Sequence, residues 1–98
     1  MCAMVTRRRM NPARAPEPRQ RAAGEFWPKL QQAPGFVSFS LIQGEDGVTT
    51  AVVLWESKAQ ADAFQNEARA WGDVLDAFGH QVESREAGEV MEQLSARA

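Results

Sequence analysis

A run of β-branched and aromatic residues from Phe36 to Trp55, interrupted only by Gln43-Gly44-Glu45-Asp46-Gly47, dominates this sequence. Branched and ring side chains favour the extended backbone, and a glycine-flanked acidic segment between two such runs predicts a β-hairpin. Alternation divides the first strand into Val37, Phe39 and Leu41 on one face and Phe36, Ser38, Ser40 and Ile42 on the other. In the second strand Thr49, Ala51, Val53 and Trp55 oppose Val48, Thr50, Val52 and Leu54. Both faces of that strand are apolar, so both need cover.

Helical patterns flank the hairpin. From Pro18 to Gln32, Ala22, Ala23, Phe26, Trp27, Leu30 and Ala33 recur at three-and-four spacing and form one apolar face. Pro28 lacks an amide hydrogen and crowds the carbonyl of Gly24, which predicts a kink. Such a kink beside Phe26 and Trp27 would open a gap over the sheet, although the same aromatics also suit plain core packing. After the hairpin, Ser57 and Gln60 form a capping box, so the second helix starts at Lys58. Its core face is Ala61, Phe64, Ala68, Trp71, Leu75 and Phe78, and Gly79 supplies the stop.

The ends of the chain read as strands. Ala3 to Met10 is short, contains Val5 and Thr6, and stops at Asn11-Pro12. Its alternation sets Ala3, Val5, Arg7 and Arg9 against Met4, Thr6, Arg8 and Met10. Near the other end, a strand around Arg85 to Glu92 competes with a helix over Glu86 to Arg97, whose residues apart from Gly88 are adequate helix formers. As a strand, its glutamates would offset Arg7, Arg8 and Arg9 across the sheet. The order is thus β-α-β-β-α-β, an α+β chain with a four-stranded antiparallel sheet.

Composition narrows the function classes. With 98 residues, 44% of them hydrophobic, the chain supports one domain, residues 1–98, and not two. The amino-terminal third is basic, yet no aromatic precedes Phe26, which argues against a nucleic-acid groove. Cys2 is the single cysteine and His80 the single histidine, so neither a disulfide framework nor a metal centre is expected. No apolar run approaches the roughly 18 residues of a membrane helix. The Arg7-Arg8-Arg9 run leads into a Pro/Arg-rich stretch and not into a signal-peptide core, so a cytoplasmic location is expected.

Two helices cover one face of a four-stranded sheet. The apolar residues on the other face of Val48 to Trp55 would each forgo roughly 1.5 to 3 kcal/mol if left wet. A symmetric homodimer packed through the open sheet face is the expected remedy.

The Pro34-Gly35-Phe36-Val37 passage into the hairpin and Leu54-Trp55-Glu56-Ser57-Lys58 leading out of it resemble the antibiotic biosynthesis monooxygenase-like family of dimeric α/β-barrel proteins. Thr6-Arg7-Arg8-Arg9, Ala70-Trp71 and Gly88-Glu89-Val90 extend the likeness over nearly the whole chain. The resemblance implies a ferredoxin-like protomer, a homodimer forming a dimeric α/β barrel, and a ligand cavity between sheet and helices. It further implies either a cofactor-independent monooxygenase acting on a small aromatic or quinol-type metabolite, or a non-catalytic ligand-binding or stress-response homodimer. No metal or cofactor is expected in either case.

Against that background, Trp27, Phe64 and Trp71 are the candidate ligand contacts, Arg7 and Arg9 the candidate polar contacts, and His80 the candidate general base. A histidine after a helix stop serves equally to bind free carbonyls. Asn66 lies about 140° round the helix from Trp71 and is expected to face water. Haem-degrading members of the family also carry a tryptophan and a histidine near the end of the second helix. Their first-strand asparagine has no counterpart among Thr6 to Arg9, which disfavours haem cleavage.

Overall fold

The computed structural model describes residues 1–14 and 16–96. The elements are β1 (Cys2–Arg9), a 3-10 turn (Pro12–Arg14), α1 (Glu17–Glu25), α2 (Trp27–Gln32), β2 (Phe36–Gln43), β3 (Val48–Trp55), α3 (Lys58–Ala63), α4 (Gln65–Ala77) and β4 (Gln81–Glu89). The sheet runs β2-β3-β1-β4 with every neighbouring pair antiparallel. This is the ferredoxin-like α+β arrangement expected from the order of elements.

Each expected helix is two. Pro28 sits in the first turn of α2, where a missing N–H leaves no intrahelical bond unmade, so the chain breaks at Phe26 and restarts. Contrary to the uninterrupted second helix expected after Ser57, a tight turn at Phe64 separates α3 from α4. That turn seats the Phe64 ring between Phe26 and Trp55, with ring centroids 5.9 Å and 5.3 Å away. The start of α3 follows expectation: the Gln60 N–H donates to Ser57 Oγ at 3.3 Å, and the Ser57 hydroxyl reaches Gln60 Oε1 at 3.0 Å. Ser57→Ala is expected to cost about 1 kcal/mol, lowering the melting temperature by about 4–8 °C in a thermal scan. Helix α4 ends as a Schellman motif, with Gly79 at φ 84°, its N–H on the Asp76 carbonyl and the His80 N–H on the Leu75 carbonyl.

Two register shifts alter the expected alternation. In β2 the shift falls between Phe36 and Ser38, so Phe36 stands opposite Trp55 and Phe39 opposite Val53. The extra residue is Val37, and Phe36 and Phe39 both pack against the core on the helix side, not on opposite faces. In β4 the shift falls between the partners of Arg7 and Arg8: Arg7 pairs with Ser84 and Arg8 with Val82, leaving Glu83 as the extra residue.

The last strand lies earlier than expected, at Gln81–Glu89 instead of Arg85 to Glu92. The free edge of β1 takes Gln81–Glu89 into the ladder, and that pairing overrides the modest helix propensity of Glu86 to Glu89. Residues 90–96 have no regular structure, and Arg97 of the competing helix lies outside the described residues. The glutamates of the expected strand make no ion pair with Arg7, Arg8 or Arg9 among the described residues; Arg9 Nε instead donates to Glu83, upstream of that stretch, at 2.6 Å, and Arg8 turns to Asp76 of α4.

The buried core is Cys2, Leu30, Trp55, Ala61 and Phe64, at the end of the sheet where β1 begins and β3 finishes. Toward the other end of the sheet the same helix-covered face opens into a cavity.

Candidate functional site

The cavity lies between sheet and helices and has a volume of about 390 Å³, within the range of small-molecule sites. Met4, Thr6 and Arg8 of β1 and Ala51 and Val53 of β3 form its floor. Phe26 and Trp27, freed from a continuous helix by the break before Pro28, join Phe64, Trp71 and Leu75 over it. Phe26 and Trp71 stack, with centroids 5.2 Å apart and planes 7° from parallel. That geometry presents flat, rigid hydrocarbon to whatever enters.

The expected contacts Trp27, Phe64 and Trp71 all line this cavity. Arg7 and Arg9 do not, because alternation along β1 puts them on the opposite face of the sheet. Arg7 is exposed there, and Arg9 is held by Glu83 and by the Asp46 carbonyl. The arginine that reaches the cavity is Arg8. Its parity with Met4 and Thr6 was visible in the sequence, but a buried arginine is rarely assumed. Asn66 is exposed, as expected.

The burial of Arg8 is supported locally. Its Nη1 donates to Asp76 Oδ1 and to the His80 carbonyl, both at 2.9 Å. This places a cation against the carboxy-terminal end of α4, where the helix dipole and free carbonyls favour positive charge. The side chain is only 9% exposed while that of Asp76 is 58% exposed, so water screens the carboxylate more than the guanidinium. Its other terminal nitrogen, Nη2, lies against Gly72, the buried residue after Trp71: a Cβ there would stand 3.0 Å from Arg8 Nη2 and 3.9 Å from Arg85 Nη2. Arg85 comes from β4, opposite Thr6, and makes no ion pair among the described residues. Arg19 and Arg69 also line the cavity. Glu86 contributes to the lining too, but its pairing with Val5 sets its side chain toward the opposite face.

His80 sits elsewhere. It is fully buried, is not among the lining residues, and its Nδ1 accepts the Asn11 backbone N–H at 2.8 Å. That bond fixes the neutral tautomer with its proton on Nε2, which is enclosed and has no partner among the described residues. Burial foremost, then the nearby Arg8 and Arg14 cations, hold its pKa below the ordinary 6.5. The ring thus braces the junction of β1 and α4, and His80, the expected general base, does not face the cavity. Asn11 completes the brace, its Nδ2 donating to the Phe78 carbonyl at 3.0 Å. Among the described residues no cluster of His, Cys, Asp and Glu side chains is placed to hold a metal ion. Nor is any helix of the described residues long and apolar enough to cross a membrane.

No family model matches the sequence, and no curated protein matches it. Solved structures do. A Deinococcus radiodurans protein provisionally assigned as an antibiotic biosynthesis monooxygenase aligns with a TM-score of 0.80 at 13% identity, over 100% of both chains. A variant of SnoaB, a cofactor-independent oxygenase from Streptomyces nogalater, aligns at 0.74 with 18% identity over 97% of each chain. The heme-degrader MhuD from Mycobacterium tuberculosis, with two hemes bound in its active site, aligns at 0.68 with 21% identity, over 97% of this chain and 100% of its own. The fold is therefore that of the antibiotic biosynthesis monooxygenase structures.

Proposed function

We propose that this protein binds a small aromatic or quinol-type metabolite in the cavity beneath Phe26 and Trp71 and acts on it as a cofactor-independent monooxygenase. The observation that carries the reading is the stacked Phe26–Trp71 pair over an apolar floor, a surface complementary to a flat ring system. The likeness to SnoaB supports it. In such a reaction an electron-rich ring methylene reduces dioxygen, one oxygen atom becoming its carbonyl and the other leaving as water with the two hydrogens. The substrate supplies the electrons, and the protein's task is to orient the ring and exclude water.

A second reading, a ligand-binding dimer without turnover, draws support from the lining itself, where arginines are not matched by a convergent acid–base pair. Haem fits this chain poorly: the single histidine is enclosed, with Nδ1 already engaged by Asn11. In both readings a second copy covers the open sheet face, where Val5, Val52 and Leu54 are half-buried and Ile42 is 54% exposed.

Oxygen uptake with a panel of anthrones and hydroquinones tests turnover, and quenching of Trp27 and Trp71 fluorescence tests binding. Uptake with quenching is expected; saturable quenching without uptake would select the binding dimer, and neither would reject both. Sedimentation is expected to give a dimer at micromolar concentration.

A further inference from the structure

We propose that Arg8 and Arg85, brought together at Gly72, form an anion subsite in the wall of the cavity, so that the ligand is a flat aromatic carrying an ionised oxygen acid, a carboxylate foremost. The proposal rests on the aromatic-ligand reading above and specifies the ligand's second half.

Three features converge on it. The first is the absence of a side chain at Gly72. A glycine inside a helix costs about 1 kcal/mol relative to alanine, and here the space is used: Arg8 Nη2 lies 3.0 Å, and Arg85 Nη2 3.9 Å, from the position a Cβ would take. Two guanidinium ends from two strands therefore meet within 4 Å of one point on the cavity wall. The second is the direction of Arg8. Its two hydrogen bonds both use Nη1, which leaves Nη2 without a partner among the described residues although the side chain is 9% exposed. The third is charge balance. Among the described residues Asp76 is the single carboxylate bonded to the pair, it engages Arg8 through Nη1 and not Nη2, and its side chain is 58% exposed. Two cations meeting at one point repel each other, and an anion between them offsets that cost while accepting charge-assisted hydrogen bonds. Trp71 precedes Gly72 in the chain, so the ring platform and the subsite belong to the same turn of α4.

The test uses the full chain with 2-naphthoate and its neutral isostere 2-naphthamide, titrated calorimetrically at pH 7.5. Naphthoate is expected to bind at least about tenfold more tightly, the scale of one charge-assisted contact. Arg85→Gln, at an exposed strand position, should reduce that preference to about threefold or less, weakening naphthoate far more than naphthamide. Gly72→Ala, whose Cβ crowds Arg8 Nη2, should do the same, with circular dichroism reporting that the helix is intact. Equal affinity for the two probes would overturn the subsite while leaving the aromatic cavity standing. Failure of both probes to bind would remove the aromatic reading and this proposal together. A naphthoate preference that survives both substitutions would overturn the assignment to Arg8 and Arg85.

Discussion

Replacing Trp55 with alanine is expected to destabilise the protein by about 3–5 kcal/mol, a large share of the roughly 5–15 kcal/mol that holds a domain of this size together. Trp55 is 2% exposed and stands where three parts of the structure meet. Its backbone pairs with Cys2 of β1 and Phe36 of β2. Its ring meets Phe36 edge-on at 5.9 Å and Phe64 at 5.3 Å. Truncation would leave a void between partners fixed by the sheet ladder on one side and by the α3–α4 turn on the other, so little collapse can fill it. Urea titration should show a lower midpoint with an unchanged slope, and the melting temperature should fall by on the order of 15 °C or more. A loss under about 1 kcal/mol would mean that Trp55 is not the centre of the core. Val37→Ala, at the half-exposed extra residue of β2, provides the control and should change stability by no more than about 0.5 kcal/mol.

The second large effect belongs to His80. Alanine at this position removes a fully buried ring and orphans the Asn11 N–H that it accepts, an expected cost of about 2–4 kcal/mol. The wild-type ring also makes stability depend on pH. In the unfolded chain a histidine titrates near 6.5, whereas in the fold burial holds the pKa lower. Between those two values the unfolded chain binds a proton that the native state does not. Stability is therefore complete above about pH 6.5 and declines as the pH falls toward the lowered native value. As His80 is the single histidine, urea midpoints at pH 7.5 and 5.5 bracket the ordinary histidine value, and His80→Ala supplies the control. The wild type should lose stability across that interval and His80→Ala should lose much less. An equal loss in both would remove His80 as the cause.

Much of this fold was legible because local chemistry and global topology agree. The hairpin, the Ser57 cap and the Gly79 stop are each decided within a few residues, and each appears where the sequence places it. The helix breaks were half legible: Pro28 announces its own, but nothing near Phe64 does, because that turn serves a ring whose neighbours Phe26 and Trp55 are distant in sequence. The edge strand was misplaced for a related reason. Gln81–Glu89 is exposed along most of its length and lacks an apolar alternation, so its position follows from the free edge of β1 rather than from its own side chains.

At the site, the aromatic half could be read from helical spacing, and Trp27, Phe64 and Trp71 do line the cavity. The charged half could not. Arg7 and Arg9, the expected polar contacts, lie on the opposite face of β1, whereas Arg8 shares the helix-covered face with Met4 and Thr6. Arg85 is placed by register alone, and His80 by a hydrogen bond to a backbone amide 69 residues away.

The extra residue in β4 has a consequence for charge. Had the register of Arg7 with Ser84 continued, Glu83 would stand opposite Arg8 on the helix-covered face. The bulge substitutes Val82 there and sends the Glu83 carboxylate through to Arg9 on the other side. One inserted backbone unit thus acts as a sorting device, moving an acid from beside Arg8 to the face that carries Arg9. The polarity of the chamber is set by the length of an edge strand as much as by its composition, so a single insertion or deletion there would recode what the chamber attracts while leaving the core untouched.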